Sequence, residues 1–554
     1  MAGVRKGATM TTRKFPPPDD LVVNFEPRRP EVDPTLGIVV DRSGNSGEPV
    51  HRLVTIGDSI THGFMSGAIF RTELSWPAVI GTELGVRPHI QRESGPGLAG
   101  EVRFPVYENP DGPGGVPLDL ERAIRGLERR VGENLSWWEV GKALHWVQRH
   151  LDRIEDYWER GSGSRPPAGQ LRYHNLAVYG ADVLDVQHVT YESATAKIER
   201  PDDDLVSQQV ENDTDRAWQW VLDGFRDETV LGAARSMGDE GVEDGQAESG
   251  IETLIVMLGA NNALGSVVEL EPKWTPDSYG RLPLAQRVSK KGEYNLWQPA
   301  HFAEEWTALV DQLRDIKARH VIVSTIPAVT IAPITRGVSG KVHQQSRYFP
   351  YYTRPWIDDA DFDELDPHIT GDEARQIDSA IDAYNATIIQ SVREARADGL
   401  DWYLFDLGGL LDRLAARRYE LSPSARPLWW TSYPLPPEVA ALSPKPDSRF
   451  FQSGPHGRTA GGLFSLDGVH PTTIGNGLIA DSIIQIMNQS AGVRFYASDG
   501  GAWTERQGPV GVDFDRVVKT DTLNSAPPRN LSSTLHLLGW LDSTIDWISR
   551  ALPF

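Results

Sequence analysis

A run of apolar and β-branched residues, Leu53-Val54-Thr55-Ile56, stops at Gly57-Asp58 and gives way at once to Ser59-Ile60-Thr61-His62-Gly63. Such a run reads as a buried strand that breaks sharply into a loop opening a helix. Ser59 then stands at the carboxyl end of a strand, where open α/β sheets place their ligands. The same pattern recurs along the chain. Short apolar runs at 173–182, 253–258, 320–325 and 402–406 each end in loop-forming residues. Patterns of helical period lie between and after them, at about 76–84, 303–318, 373–397 and 474–488. Strands alternating with helices predict an α/β fold whose parallel sheet is covered on both faces.

The 554 residues exceed what five strands and their helices need. The surplus falls into segments with weaker periodicity. Residues 1–48, rich in Pro, Arg, Asp and Gly, read as a disordered tail becoming an extended arm. Residues 49–490 read as one core domain, with insertions at about 93–170, 190–250, 266–300, 336–370 and 413–462. Residues 491–554 form an extension ending in an amphipathic helix, which packs on its own domain or serves as a lid, a dimer contact or an interfacial helix. Aromatics gather in the loops, among them Trp274, Trp297, Tyr348, Phe349, Tyr352 and Trp430. They either line a pocket or build small cores of their own.

Composition removes several classes of function. The net charge of −22 disfavours a sequence-independent nucleic-acid binder, whose affinity comes from cations on phosphates. The chain has no cysteine, which excludes disulfides, thiolate metal sites and a cysteine nucleophile. No apolar run approaches the ~18 residues of a membrane span, and residues 1–20 lack the apolar stretch of a secretory leader. A cytoplasmic protein is expected, with secretion left open. The acidic run 358–368 lacks the glycine that an EF-hand loop requires and reads as a solvated loop. Neither a His-Glu-x-x-His motif nor a phosphate-binding loop is present.

A serine needs a base before it is a useful nucleophile. Asp467 and His470 are three residues apart, so one turn can bring both toward Ser59. Taken singly, each candidate has a plainer reading. Gly-Asp-Ser forms turns, Gly180 can be a turn glycine, Asn261 and Asp58 can cap helices, and His62 and His470 can be packed loop residues. Taken in order, the blocks Gly57-Asp58-Ser59, Gly180, Gly259-Ala260-Asn261 and Asp467-Gly468-Val469-His470 resemble the SGNH hydrolases, the GDSL esterase/lipase family. The resemblance covers about 51–90, 171–186, 251–264, 301–330, 373–412 and 463–488.

That resemblance implies a flavodoxin-like three-layer sandwich around a five-stranded parallel sheet. It implies Ser59 as nucleophile, His470 as general base and acid, and Asp467 as the carboxylate that orients His470. It implies an oxyanion hole made by the Ser59 N–H, the Gly180 N–H and the Asn261 amide. No cofactor and no metal is implied. The expected substrate is a small-molecule, lipid or glycan carboxylic ester. Acyl transfer and carbohydrate O-acetyl ester hydrolysis are alternatives on the same triad, and a non-catalytic binding protein is the alternative of another class. One departure stands out: the family commonly has Asn-Asp where this chain has Asn261-Asn262. The Gly-x-Ser-x-Gly elbow of α/β-hydrolases is not met, since Thr61 occupies its last position.

Overall fold

The computed structural model describes residues 16–19, 21–69, 71–85, 88–89, 102–103, 114–131, 140–165, 171–200, 210–245, 247–498, 503–529, 534–545, 547–548 and 552. Much of the 93–170 insertion, including Trp137 and Trp138, lies outside them, as do residues 1–15 of the N-terminal tail.

Four parallel strands form the central sheet in the order β1 (His51–Gly57), β2 (Ile251–Met257), β3 (Ala318–Ser324) and β4 (Trp402–Phe405). β1 pairs with β2 from His51↔Ile251 to Gly57↔Met257, so both strands end level. Side chains alternate between two faces, as the strand period requires. Leu53, Ile255, Met257, Ile322 and Phe405 pack on α2 (Trp76–Glu83) and α6 (Thr473–Gln485). Val54, Ile56, Leu254, Val256 and Val323 face the opposite way, onto α3 (Pro299–Arg314) and α4 (Gly371–Ala397). α4 begins with a capping box between Thr370 and Glu373, which fixes its start despite the irregular chain before it. Two shorter helices, α1 (Ser59–His62) and α5 (Leu407–Leu414), leave the ends of β1 and β4.

The sheet has four regular strands where the sequence predicts five. Residues 173–178 do run beside β1 in parallel, but their only bridge is Thr55↔Asn175. The Thr55 and Leu176 N–H groups donate to His174 and Thr55 carbonyls, at 2.9 and 2.8 Å, and the Val178 N–H donates to Gly57 O at 3.2 Å. At Asn175 the side chain takes up hydrogen bonds across to the β1 strand and the turn after it. Its Oδ1 accepts from Thr55 Oγ1 and the Ala177 N–H, and its Nδ2 donates to Thr61 O.

The insertions are less separate than their composition predicts. Helices Asp213–Val221 and Val230–Asp239 bury Trp218, Trp220, Leu231, Ala234 and Met237 in the main core. Trp274, Trp297, Tyr348 and Tyr352 join the same core rather than small cores of their own. The acidic run 358–368 is mostly exposed, with Asp359 paired to Arg336 at 2.5 Å.

Residues 21–42 take the place where the sequence expects a tail to become an extended arm. They run extended along the β4 edge. The Leu404 N–H donates to Pro34 O at 2.9 Å, Arg28 pairs with Asp406 at 2.5 Å, and Arg42 donates to Ala491 O at 2.6 Å. The arm thereby covers a strand edge that would otherwise present unpaired backbone groups. At the other end, α7 (Thr534–Ile545) lies on its own domain. Leu535, Leu537, Leu538 and Leu541 are buried, and Trp547 packs against Trp356. Among the described residues no helix is long and apolar enough to cross a membrane.

Candidate active site

The turn after β1 is tightly determined. Asp58 caps α1, its carboxylate accepting from the Ile60 N–H at 3.2 Å. Burial pushes Asp58 up to about 6, with the Ile60 N–H and the nearby His470 pulling the other way. Gly57 leaves no room for a side chain: a Cβ there would lie 2.7 Å from the Met257 carbonyl and run into Thr61. Gly63, in the left-handed region at φ 94°, ends the helix after one turn.

This turn meets a loop 400 residues further along. Ser59 Oγ lies 2.7 Å from His470 Nε2, and His470 Nδ1 lies 3.0 Å from Asp467 Oδ2. All three side chains are buried. Asp467 Oδ1 accepts from the Val469 and His470 N–H groups, both at 2.9 Å. Its Oδ2 also accepts from the Gly67 N–H at 2.9 Å, and the Ser66 N–H donates to Ser465 Oγ. Residues 66–67 therefore clamp the loop that carries Asp467 and His470. Burial alone would raise Asp467, but His470 and these N–H donors hold it below the ordinary carboxylate value. Phe64 covers the imidazole, with ring centroids 4.6 Å apart.

Gly180 and Asn261 flank this turn. Gly180 follows the 173–178 segment on one side of β1, and Asn261 follows β2 on the other. Asn261 Nδ2 donates to Ala181 O at 2.8 Å, which ties the two loops and leaves its second amide hydrogen. Among the described residues the N–H groups of Ser59 and Gly180 have no hydrogen-bond acceptor. Asn262 is fully buried, and its Oδ1 accepts from the Val183 N–H at 3.4 Å.

Several supporting residues surround these groups, and of them the sequence singles out His62, as a packed residue. His62 is fully buried, and its Nδ1 accepts from the Tyr179 N–H at 3.1 Å, one residue before Gly180. Burial pushes His62 down to about 3, so it stays neutral and can accept. Tyr179 Oη in turn donates to Asp213 at 2.7 Å. Lys291 holds Asp182 and Asp185 at 2.9 and 2.5 Å, which docks the 266–300 insertion on the loop after Gly180. The Ser66-Gly67 pair is marked locally, as a turn dipeptide.

An apolar cleft of about 90 Å³ adjoins the site. Ile60, Ala260, Leu264, Leu410, Val469 and Pro471 are among its walls. Ile60 is the neighbour of Ser59, Ala260 of Asn261, and Val469 and Pro471 of His470. Among the described residues no group of three or more His, Asp or Glu side chains is placed to hold a metal ion. The sequence matches no family model and no curated protein.

Proposed function

We propose that this chain is a serine-dependent carboxylic ester hydrolase of the SGNH type. The observation that carries the reading is the continuous hydrogen-bonded chain Ser59 Oγ, His470 Nε2, His470 Nδ1, Asp467 Oδ2, which joins residues 411 apart in sequence inside a buried site. Ser59 Oγ attacks the acyl carbon while His470 Nε2 takes its proton. The developing oxyanion is met by the Ser59 and Gly180 N–H groups and the Asn261 amide. His470 then delivers the proton to the departing alcohol, leaving an acyl-enzyme at Ser59. Water, activated by the same imidazole, resolves it.

The sheet order supports the flavodoxin-like reading. With the 173–178 segment counted as the second strand, the order is 2-1-3-4-5, and the crevice beside the first strand is where such sheets bind ligands. The apolar cleft favours an apolar acyl chain over an acetylated glycan. Each methylene it takes contributes about 0.8 kcal/mol, an increase of about 4-fold in kcat/KM.

Turnover of chromogenic esters from acetyl to palmitoyl tests this, with wild type beside Ser59→Ala and His470→Ala. The expected result is activity that rises with acyl length to an optimum, and loss of nearly all of it in both variants. A fluorophosphonate should label wild type and not Ser59→Ala. An inert wild type whose Ser59 stays unlabelled would remove the hydrolase reading in favour of a binding protein.

A further inference from the structure

A second cavity, of about 150 Å³, lies on the other side of the chain segment 329–335 from the apolar cleft. Five arginines line it: Arg336, Arg347, Arg417, Arg418 and Arg449. Among the described residues no carboxylate does. This is a concentration of positive charge in a chain whose net charge is −22.

Three of the five are matched by carboxylates set back from the cavity. Arg336 pairs with Asp359, Arg418 with Asp378 at 2.8 Å and Asp412 at 3.7 Å, and Arg449 with Asp447 at 2.7 Å. Arg347 and Arg417 make no ion pair among the described residues. Arg347 is only 8% exposed, yet its Nε and Nη2 have no hydrogen-bond partner. The Tyr419 hydroxyl approaches Arg347 closely though short of full hydrogen-bond geometry, and Asp378, Asp382 and Asp412 act on the same guanidinium from behind the cavity wall. Arg417 donates to Gly337 O at 2.8 Å, but its Nε is also buried and unpartnered.

The surroundings sharpen this imbalance. Lys341 sits above the Phe349 ring at 4.6 Å, and burial together with Arg418 and Arg417 pushes it down to about 7. Burial and the neighbouring Arg336 lower Arg417 as well. Buried donors without acceptors are costly, and a guanidinium cannot relieve the cost by losing its proton. An anion in the cavity meets the faces of the guanidiniums that line it.

We propose that this cavity is a binding site for a small phosphomonoester. A phosphoryl group brings up to two negative charges to a cavity walled by five guanidiniums and by no carboxylate among the described residues. Its oxygens match the guanidinium fork, and Arg is the side chain that recognises them bidentately. The cavity is larger than a bare phosphate fills, and Phe349, Tyr352 and Phe450 offer apolar walls for a carbon skeleton. The site requires no acyl-enzyme and stands apart from the hydrolase reading. It nonetheless shares a wall with the loop of Asp467 and His470. The Ile334 N–H donates to Gly468 O at 2.9 Å, and a Cβ at Gly468 would come within 2.5 Å of Phe450.

Calorimetric titration of the full chain in a phosphate-free buffer tests the site, using inorganic phosphate, glycerol 3-phosphate and glycerol in separate arms. Glycerol 3-phosphate should bind one to one with a Kd below about 1 mM, more tightly than inorganic phosphate, while glycerol gives no heat. Arg417→Gln should weaken binding at least about 10-fold. Gln452→Glu places a carboxylate among the lining residues without removing a packed group. It should abolish binding and at the same time raise the unfolding temperature of the ligand-free protein, a pair of effects that general damage does not produce. If Arg417→Gln does not fold, Gln452→Glu carries the test alone. Absence of binding to either phosphate at about 10 mM, or binding that both variants leave unchanged, overturns the proposal. Inorganic phosphate binding more tightly than glycerol 3-phosphate would overturn the phosphomonoester assignment and make the free anion the ligand.

Discussion

Asp467 receives four hydrogen bonds, from the N–H groups of Gly67, Val469 and His470 and from the His470 ring. An amide in its place must turn a donor toward some of these donors. Asp467→Asn is therefore expected to lower kcat by about 10⁴, through the wrong imidazole tautomer, and to lower the unfolding temperature as well. Because the folded protein holds this carboxyl below its ordinary value, its contribution to stability is full above about pH 4 and is lost as pH falls through the folded value. His62 acts in the same direction over a higher range. The unfolded chain protonates it near 6.5, whereas the folded protein resists until about 3. Unfolding free energy should drop by about 1.4 kcal/mol per pH unit between those values on account of His62 alone. Asp58 and Asp213, both pushed up to about 6 by burial, oppose this, since they cost stability as pH rises from 3.8 to 6. The His62 share is isolated by chemical denaturation of wild type and His62→Gln from pH 4 to 7: the difference should grow more favourable to wild type as pH rises.

Among the elements, the turn from β1 into α1 tolerates least. In Gly57→Ala the new methyl group meets the Met257 carbonyl on the neighbouring strand, so α1 must shift. A displacement of the nucleophile by about 1 Å costs on the order of 10² in rate, and kcat on a short-chain ester should fall at least that far while circular dichroism remains near that of wild type. α5 offers a milder probe. Leu410 is half-buried and lines the apolar cleft, so Leu410→Trp should fill it. The acyl-length optimum should then move to shorter chains, with acetyl ester turnover retained; an unmoved optimum would place the acyl chain elsewhere. The strands and long helices were legible because period and length agree, as in β2 and α4. The 173–178 segment looked equally strand-like. What broke its regularity was the Asn175 amide, whose partners Thr55 and Thr61 are 114 and more residues away.

Over the whole molecule, the segments 21–42 and 534–548 act as braces among the described residues. The N-terminal arm covers the β4 edge, and the C-terminal helix buries Trp547 beside Trp356 and Leu538, with Trp547 Nε1 donating to Leu538 O at 3.0 Å. Trp547→Ala should cost about 3–5 kcal/mol in denaturant unfolding. Gly539 packs its backbone on Trp356, where a Cβ would approach to 2.9 Å, so this helix has no room to swing as a lid without unpacking that contact. The insertions follow the same logic. Their helices complete the core, and Trp218, Trp220, Trp274 and Trp297 end inside it.

The sequence by itself determined the strand-helix alternation, because strand period and turn residues are local, and its ordered short motifs pointed, through their resemblance to the SGNH hydrolases, to Ser59, Asp467 and His470 together with Gly180 and Asn261. Tertiary structure alone decided which distant loops meet. It set residues 66–67 on Asp467, His62 behind Gly180, Lys291 on the loop after it, and five arginines from four separate segments around one cavity. None of these pairings has a local sequence signal, since each follows from how the sheet orders its strands and from which buried polar groups then need partners.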